Sequence, residues 1–314
     1  MKAVRVHGWG EPPVLETLPE PREADGQSLV RIEAASVGHL DRTIWRGEFL
    51  HPPALPYVPG VEGSGVIERS GTFVAGTRVW FRGGGLGTRG DGTWRERCVV
   101  PDSILGVLPD AVPFDAGATF FSPCTSAWVA LHEVAALRAG ERVLVSGATG
   151  AVGSIVCQLG RQSGAQVIAV VGRRERLAEL DEGVQPVVVD RDDPRTPEGL
   201  HADVLIDTVG GATLQALLPA VVAGGRAVLV GYLGGSRLML DLTEFIQRDV
   251  SLLPLNMLRR EAAGRAAAPR LLERIADGTL RVERRSFAFA DAGAALEWLG
   301  SPDHRGRAVL RWTG

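Results

Sequence analysis

Residues 143–172 read VLVSGATGAVGSIVCQLGRQSGAQVIAVVG, the order of a strand, a glycine turn, a helix and a second strand. Val143, Leu144 and Val145 form a short apolar run suited to a strand buried on both faces, and Gly147, Gly150 and Gly153 punctuate the turn behind it. Such a turn needs positive φ angles, a backbone bare enough for a pyrophosphate to approach, and a contact without side chains where the helix crosses the strand. The helix predicted from about 151 to 163 aims its free N–H groups, those of Ala151 and Val152 among them, and the positive end of its dipole at the phosphates. Residues 166–171 supply the second strand. A glycine pattern alone also fits a surface turn. Flanked by strand, helix and strand, it predicts a dinucleotide site.

Upstream, residues 1–112 are dense in glycine, proline and short β-like runs at 29–35, 65–68, 77–81 and 97–100, the texture of a β-rich domain. From 113 the pattern changes: 115–136 reads as helix, and strands are predicted at 142–146, 166–171, 187–190, 203–207, 226–231 and 250–253. Strands alternating with helices predict a doubly wound parallel sheet. A surface helix is expected over 259–277, ending at Gly278, and 284–288, 292–299 and 308–312 return to strand, helix, strand. Two domains follow: 1–112 completed by about 283–314, and 113–282. Residues 191–197 read as an exposed loop.

Composition narrows the class. A chain of 314 residues, 45% hydrophobic and 23% charged, accommodates two globular domains. A formal charge of −3 gives no electrostatic footprint for nucleic acid or an anionic membrane. The 3 cysteines, Cys98, Cys124 and Cys157, are too far apart for a disulfide framework or a metal knuckle, which points to a reducing, cytoplasmic setting. Met1 runs into an apparent strand without the pattern of a signal peptide, and no apolar run has the length of a membrane span.

Dinucleotide folds carry an acid at the end of the second strand to receive the adenosine ribose hydroxyls. Here that place reads Gly172, Arg173, Arg174, Glu175, Arg176. Guanidinium forks match a phosphate bidentately, so Arg173, Arg174 and Arg176 suit a ribose 2′-phosphate and favour NADPH over NADH. Two other readings stay open: a solvated helix start, and Glu175 turned toward the ribose.

YVPGVEGSGV at 57–66, GTRV at 76–79, GTWRE at 92–96, DVLIDTVG at 203–210, GGRAVLVG at 224–231 and HRGRAVL at 304–310 together carry a resemblance that spans most of the chain. It is similar to the zinc-independent quinone oxidoreductase branch of the medium-chain dehydrogenase/reductase superfamily. The resemblance implies a GroES-like β-rich catalytic domain, a Rossmann domain, a cleft where nicotinamide meets a small-molecule substrate, and homodimers. It also implies cofactor contacts at Thr125, Val209, Gly231 and Arg307; for Thr125, capping of its own helix is the alternative. Zinc-dependent relatives hold a catalytic metal at positions matching Gly38, Val61 and Ser122, and glycine and valine have no ligating side chain, so no metal is expected. Hydride from C4 of NADPH can add to a quinone or an enone without a Lewis acid, and the developing charge then needs hydrogen-bond donors and a proton.

The candidates for that work sit where the chain departs from the family. An asparagine of the family is replaced by Gly38, while Asp41 is retained. His39 beside it reads either as an imidazolium proton donor near neutral pH or as a structural histidine. Tyr232, after Gly231 at a strand end, is placed to donate its phenolic proton or to border the ring. Related enoyl reductases have a tyrosine in the segment that here contains Phe49. Trp45, Phe49, Trp80 and Trp94 are expected to wall an apolar cleft, with core packing as the plain alternative. Gly83 to Gly92 reads as a mobile loop gating substrate entry. The expectation is an NADPH-dependent reductase of quinones or α,β-unsaturated carbonyls. The alternatives are a biosynthetic enoyl reductase for a polyketide-like or carrier-bound substrate, and a non-catalytic NADPH-binding protein with a structural or regulatory role.

Overall fold

The computed structural model describes residues 1–301 and 304–312 and divides the chain in two: Met1–Phe121 with the chain from Leu272 onward, and Ser122–Leu271. The first unit begins with β1 (Lys2–Arg5), β2 (Val14–Thr17), β3 (Gln27–Val37), α1 (His39–Trp45), β4 (Glu62–Ser70), β5 (Arg78–Arg82), β6 (Arg97–Pro101), β7 (Leu105–Val107) and α2 (Phe114–Thr119). The chain crosses over in α3 (Phe121–Trp128) and builds β8 (Arg142–Val145), α4 (Ala151–Gln162), β9 (Gln166–Val171), β10 (Gln185–Val188), β11 (Ala202–Asp207), α5 (Gly211–Leu217), β12 (Val221–Leu229), α6 (Leu242–Arg248) and β13 (Ser251–Pro254). It returns within α7 (Glu261–Ala276) and closes with β14 (Arg284–Ala288), α8 (Ala292–Gly300) and β15 (Arg307–Arg311).

In the second unit the 6 strands run in the order β10-β9-β8-β11-β12-β13, all parallel. Numbered along the unit this is 3-2-1-4-5-6, the doubly wound order, and its switch point lies between β8 and β11. Val143, Leu144 and Val145 are fully buried there, as a central strand covered on both faces requires. On α4 the residues Gly153, Val156, Cys157 and Gly160, with Ile155 and Leu159, make one buried face at helical spacing. The expected strand at 187–190 lies two residues earlier, at Gln185–Val188. Being the edge strand, it accommodates Pro186, whose missing N–H a central strand would not tolerate.

In the first unit β3 organises a sheet of 7 strands in which β14-β15-β3-β4-β5-β7 follow one another. One edge of β3 is shared: Gln27–Arg31 pairs with β6, and Ala34–Val37 pairs antiparallel with β15. The helix expected over 115–136 is three pieces: α2, α3 and a π-helical turn at Val129–Val134. Pro123 lacks the N–H that a continuous helix would use there, so α3 restarts with the proline in its first turn. The crossover falls inside α3 and α7, where the sequence suggested 112/113 and 282/283. Among the described residues, no helix is long and apolar enough to cross a membrane.

Candidate functional sites

At the carboxyl ends of β8 and β11 the chain makes two linked turns. Gly147 takes a φ of +60°, and a Cβ there would lie 2.7 Å from Thr208 Oγ1. Gly150 caps α4, and its N–H donates to the Gly147 carbonyl at 2.8 Å. A Cβ on Gly153 would meet that carbonyl oxygen at 2.2 Å, so the close passage of helix over turn depends on this glycine. Ser146 Oγ donates to Asp207 Oδ1 at 2.6 Å and accepts the Thr208 N–H at 2.8 Å, while Asp207 Oδ2 accepts the Gly210 N–H at 2.8 Å. Burial pushes the Asp207 carboxyl up, against the pull of those hydrogen bonds. Ser146, Asp207 and Thr208 therefore clamp the crevice in which Val209 sits. The sequence reading assigned them no role, although an acid closing the apolar run at 204–206 signals a buried acceptor.

Of the other residues expected at the cofactor, Gly231, Arg173 and Arg174 follow strands of the same sheet, Thr125 lies on α3 and Arg307 on β15. Gly231 follows β12, and its missing side chain lets the chain pass the Thr208 carbonyl, which a Cβ would approach to 2.2 Å. Tyr232 is 72% exposed beyond it. Thr125 is fully buried on α3, against Gly264 of α7. Arg173 and Arg174 stand exposed after β9. Arg176, half-buried, ion-pairs with Glu179 at 2.9 Å. Arg191 lies beside Gly172. Its N–H donates to the Gly172 carbonyl at 3.2 Å, because β10 lies beside β9.

The first unit holds a different cluster. Arg307 on β15 donates from Nη2 to Glu62 Oε2 at 2.9 Å, and Arg82 Nε lies 2.9 Å from the other oxygen of Glu62. Glu62 is 1% exposed and Arg307 9%. Gly38 is part of the same arrangement, since a Cβ there would lie 2.7 Å from Arg307 Nη1. Asp41 reaches back to accept the Gly38 N–H on Oδ2 at 2.8 Å, and its Oδ1 is buried with no hydrogen-bond partner among the described residues. Burial raises the Asp41 carboxyl to about 6 against the pull of the Gly38 N–H and of Arg307. Tyr57, whose buried hydroxyl also lacks a partner, has its ionisation pushed up by burial and by Asp41.

His39 lies at the start of α1, its ring 5.3 Å from that of His304. Burial, with His304, Arg307 and Arg42 nearby, lowers it to about 4. At neutral pH it is a neutral imidazole, which corrects the expectation of an imidazolium donor. The four rings expected to wall a cleft are all engaged in packing: Trp45 lies against the core cluster that contains Trp94 and, with Phe49, against a second one. Trp94 is fully buried and donates from Nε1 to the Ser36 carbonyl at 2.9 Å, and Trp80 is packed by Phe120 and Phe121 at 5.1 and 4.8 Å. Trp45 and Phe49, both half-buried, pack beside Ile44 and Val61. Several backbone groups of the loop from Gly83 to Gly92 are paired. Arg89 and Gly90 donate to the Gly85 carbonyl and Gly92 to that of Val58, while Asp91 accepts the Val58 N–H at 2.8 Å.

At the positions that match zinc ligands in relatives, Gly38 has no side chain, Val61 is a 6% exposed member of an apolar cluster, and Ser122 is half-buried. Among the described residues no three His, Cys, Asp or Glu side chains are grouped to hold a metal ion.

Comparison with known proteins finds two family models. Residues 24–110 match the alcohol dehydrogenase GroES-like domain and residues 151–276 the zinc-binding dehydrogenase. The quinone oxidoreductase of Rattus norvegicus is 32% identical over 248 residues, covering 74% of each chain. The quinone oxidoreductase of Thermus thermophilus, solved also with NADPH, is 29% identical, with a TM-score of 0.82 over 99% of this chain and 100% of that one. An alcohol dehydrogenase superfamily protein from Novosphingobium aromaticivorans is 26% identical, with a TM-score of 0.86 over 100% of both.

Proposed function

Because this chain belongs to the quinone oxidoreductase branch of the medium-chain dehydrogenase/reductase superfamily, we propose that it is an NADPH-dependent reductase of quinones or α,β-unsaturated carbonyls that works without a metal. It is an oxidoreductase with a nicotinamide cofactor; the choice of NADPH, the acceptor and metal independence are the steps proposed. The observation that carries the reading is the glycine turn at the switch point, with Gly147, Gly150 and Gly153 bare and Ala151 and Val152 opening α4. When bound there, the reduced nicotinamide supplies a hydride.

The chain's residues divide the remaining work. The N–H groups at the start of α4 receive the pyrophosphate, and the Ser146–Asp207–Thr208 clamp keeps the crevice at Val209 in one shape. Arg173 and Arg174, with Arg191 beside Gly172, offer guanidinium groups for a ribose 2′-phosphate, and β9 closes on Val171 and Gly172 without an acid at the strand end. Metal independence is supported by the donor set. Gly38 and Val61 have nothing to ligate with, and a guanidinium stands over Gly38. A homodimer fits the surface beside the edge strand β13, where Met239, Leu242, Ile246 and Leu258 are 67–82% exposed.

The test is oxidation of NADPH and of NADH by the purified protein against a panel of quinones, enones and aldehydes. NADPH-dependent turnover of quinones or enones that survives chelation is expected. Tight NADPH binding with no turnover of any acceptor would instead support a binding protein.

A further inference from the structure

The sheet of the first unit ends on one side in β14, which pairs in parallel with β15 and has no neighbour on its other side among the described residues. One bond fixes which groups face that open side. Arg307 donates its backbone N–H to the Glu283 carbonyl at 2.8 Å, so Glu283 turns its carbonyl toward β15. Along an extended strand this direction alternates, so the N–H and C=O groups of Arg285 and Phe287 also face β15, and those of Arg284 and Ser286 face away from it. Arg284, Arg285 and Ser286 are exposed. An open edge of this kind takes up a further strand through main-chain hydrogen bonds.

The side chains along the edge select what that strand can be. Residues 281–288 read RVERRSFA, with 3 arginines and 1 acid in a chain whose formal charge is −3, and Arg305 precedes β15 while Arg311 ends it. Glu283 lies 3.6 Å from Arg305, and Asp115 on α2 lies 3.0 Å from Arg284. On the opposite face, Arg285 sits 5.1 Å from the ring centroid of Phe287 and 5.7 Å from that of Trp298 on α8, which holds its charge at the edge. A second copy of β14 would set these arginines against their own copies, and like charges facing each other across a strand pair repel. A nucleic acid or an anionic membrane would meet the charge but has no alternating donors and acceptors to complete Arg284 and Ser286. We propose that the β14 edge is a docking site for an extended acidic segment of a partner protein, which joins the sheet as a strand beside Arg284–Ala288. Arg284 and Arg285 point to opposite faces, so the segment that fits carries acids at adjacent positions.

The probe is a short fluorescein-labelled peptide of valine and threonine around a central run of glutamate, titrated with the full-length protein and read by fluorescence anisotropy. Saturable binding at low salt is expected, weakening as salt is added. With the wild-type protein, replacing the glutamates by lysine, or methylating alternate peptide nitrogens so that they cannot donate, should each weaken binding by about tenfold or more. In the protein, Arg285→Glu should do the same through charge. Ser286→Pro removes an outward N–H and leaves the ladder to β15 intact, a change an edge strand accommodates, and it too should weaken binding by about tenfold. Circular dichroism of both variants should match wild type. Equal affinity for the N-methylated peptide overturns the proposal; if an oligothymidylate or vesicles of phosphatidylcholine with phosphatidylserine then bind as tightly, the edge is a polyanion site. Absence of saturable binding of the glutamate peptide at low salt also overturns it and leaves the arginines as guards against edge-to-edge aggregation.

Discussion

Asp41 shows what one atom's surroundings do to a side chain's chemistry. Its carboxyl is nearly sealed from water and accepts the Gly38 N–H on one oxygen, and burial outweighs that bond, so the protonated form is favoured up to about 6. The unfolded value is 3.8, so the charged form costs folding energy that is absent below about 4, grows as pH rises, and is complete above about 6. Asp41→Asn keeps the acceptor for Gly38 and removes the charge. Urea unfolding should find it more stable than wild type by about 1–3 kcal/mol at pH 8 and equal to it at pH 4. The facing charges that bear on this are Arg307 and Glu62. His39 works in the reverse sense: depressed from 6.5 to about 4, it withdraws stability as pH falls through that window. None of this was legible at 38–41 in the sequence. The groups that set these values arrive from β4 and β15, and Glu62 meets an arginine 245 residues away along the chain.

Strand and turn were far more legible than side-chain state, because they depend on neighbours in sequence. The apolar run at 143–145, the glycines behind it and the period of α4 each act within a few residues, and the structure places β8, α4 and β9 where that logic predicts. Arg191 was missed for the opposite reason. It reaches the end of β9 only through the parallel pairing of β9 with β10, which no local pattern encodes. Arg176 has Glu179 one helical turn on as a partner, an i,i+3 pair that the sequence spacing allows. The element-level prediction therefore concerns the ends of β9 and β10 together. Arg173→Ala with Arg174→Ala should weaken NADPH by about 10–100-fold in equilibrium titrations and leave NADH within about twofold, and Arg191→Ala should add to the loss. Equal losses for both nucleotides would remove the 2′-phosphate assignment.

At the scale of the whole molecule, two features of connectivity carry consequences. The first is the β13 edge of the six-stranded sheet, with the exposed Leu242 and Ile246 on α6 before β13 in sequence and the exposed Leu258 after it. If a second copy covers it, Ile246→Glu should convert a dimer to a monomer in light scattering while leaving NADPH affinity unchanged; a wild-type monomer would remove the dimer proposal. The second is that the first unit is split in sequence, with β15 paired to β3 at Ala34–Val37 and carrying the cation for Glu62. On the ribosome, β3 and β4 emerge long before β15, so Glu62 must wait for Arg307 in a half-made sheet whose Ala34–Val37 edge is open. The Ser122–Leu271 unit, continuous in sequence, has no such delay. A chain stopped before residue 307 would therefore bury a carboxylate short of one partner, at about 3–5 kcal/mol, and leave an apolar strand edge exposed to other chains. For this protein, the last strand described decides whether the first domain begun escapes aggregation and proteolysis.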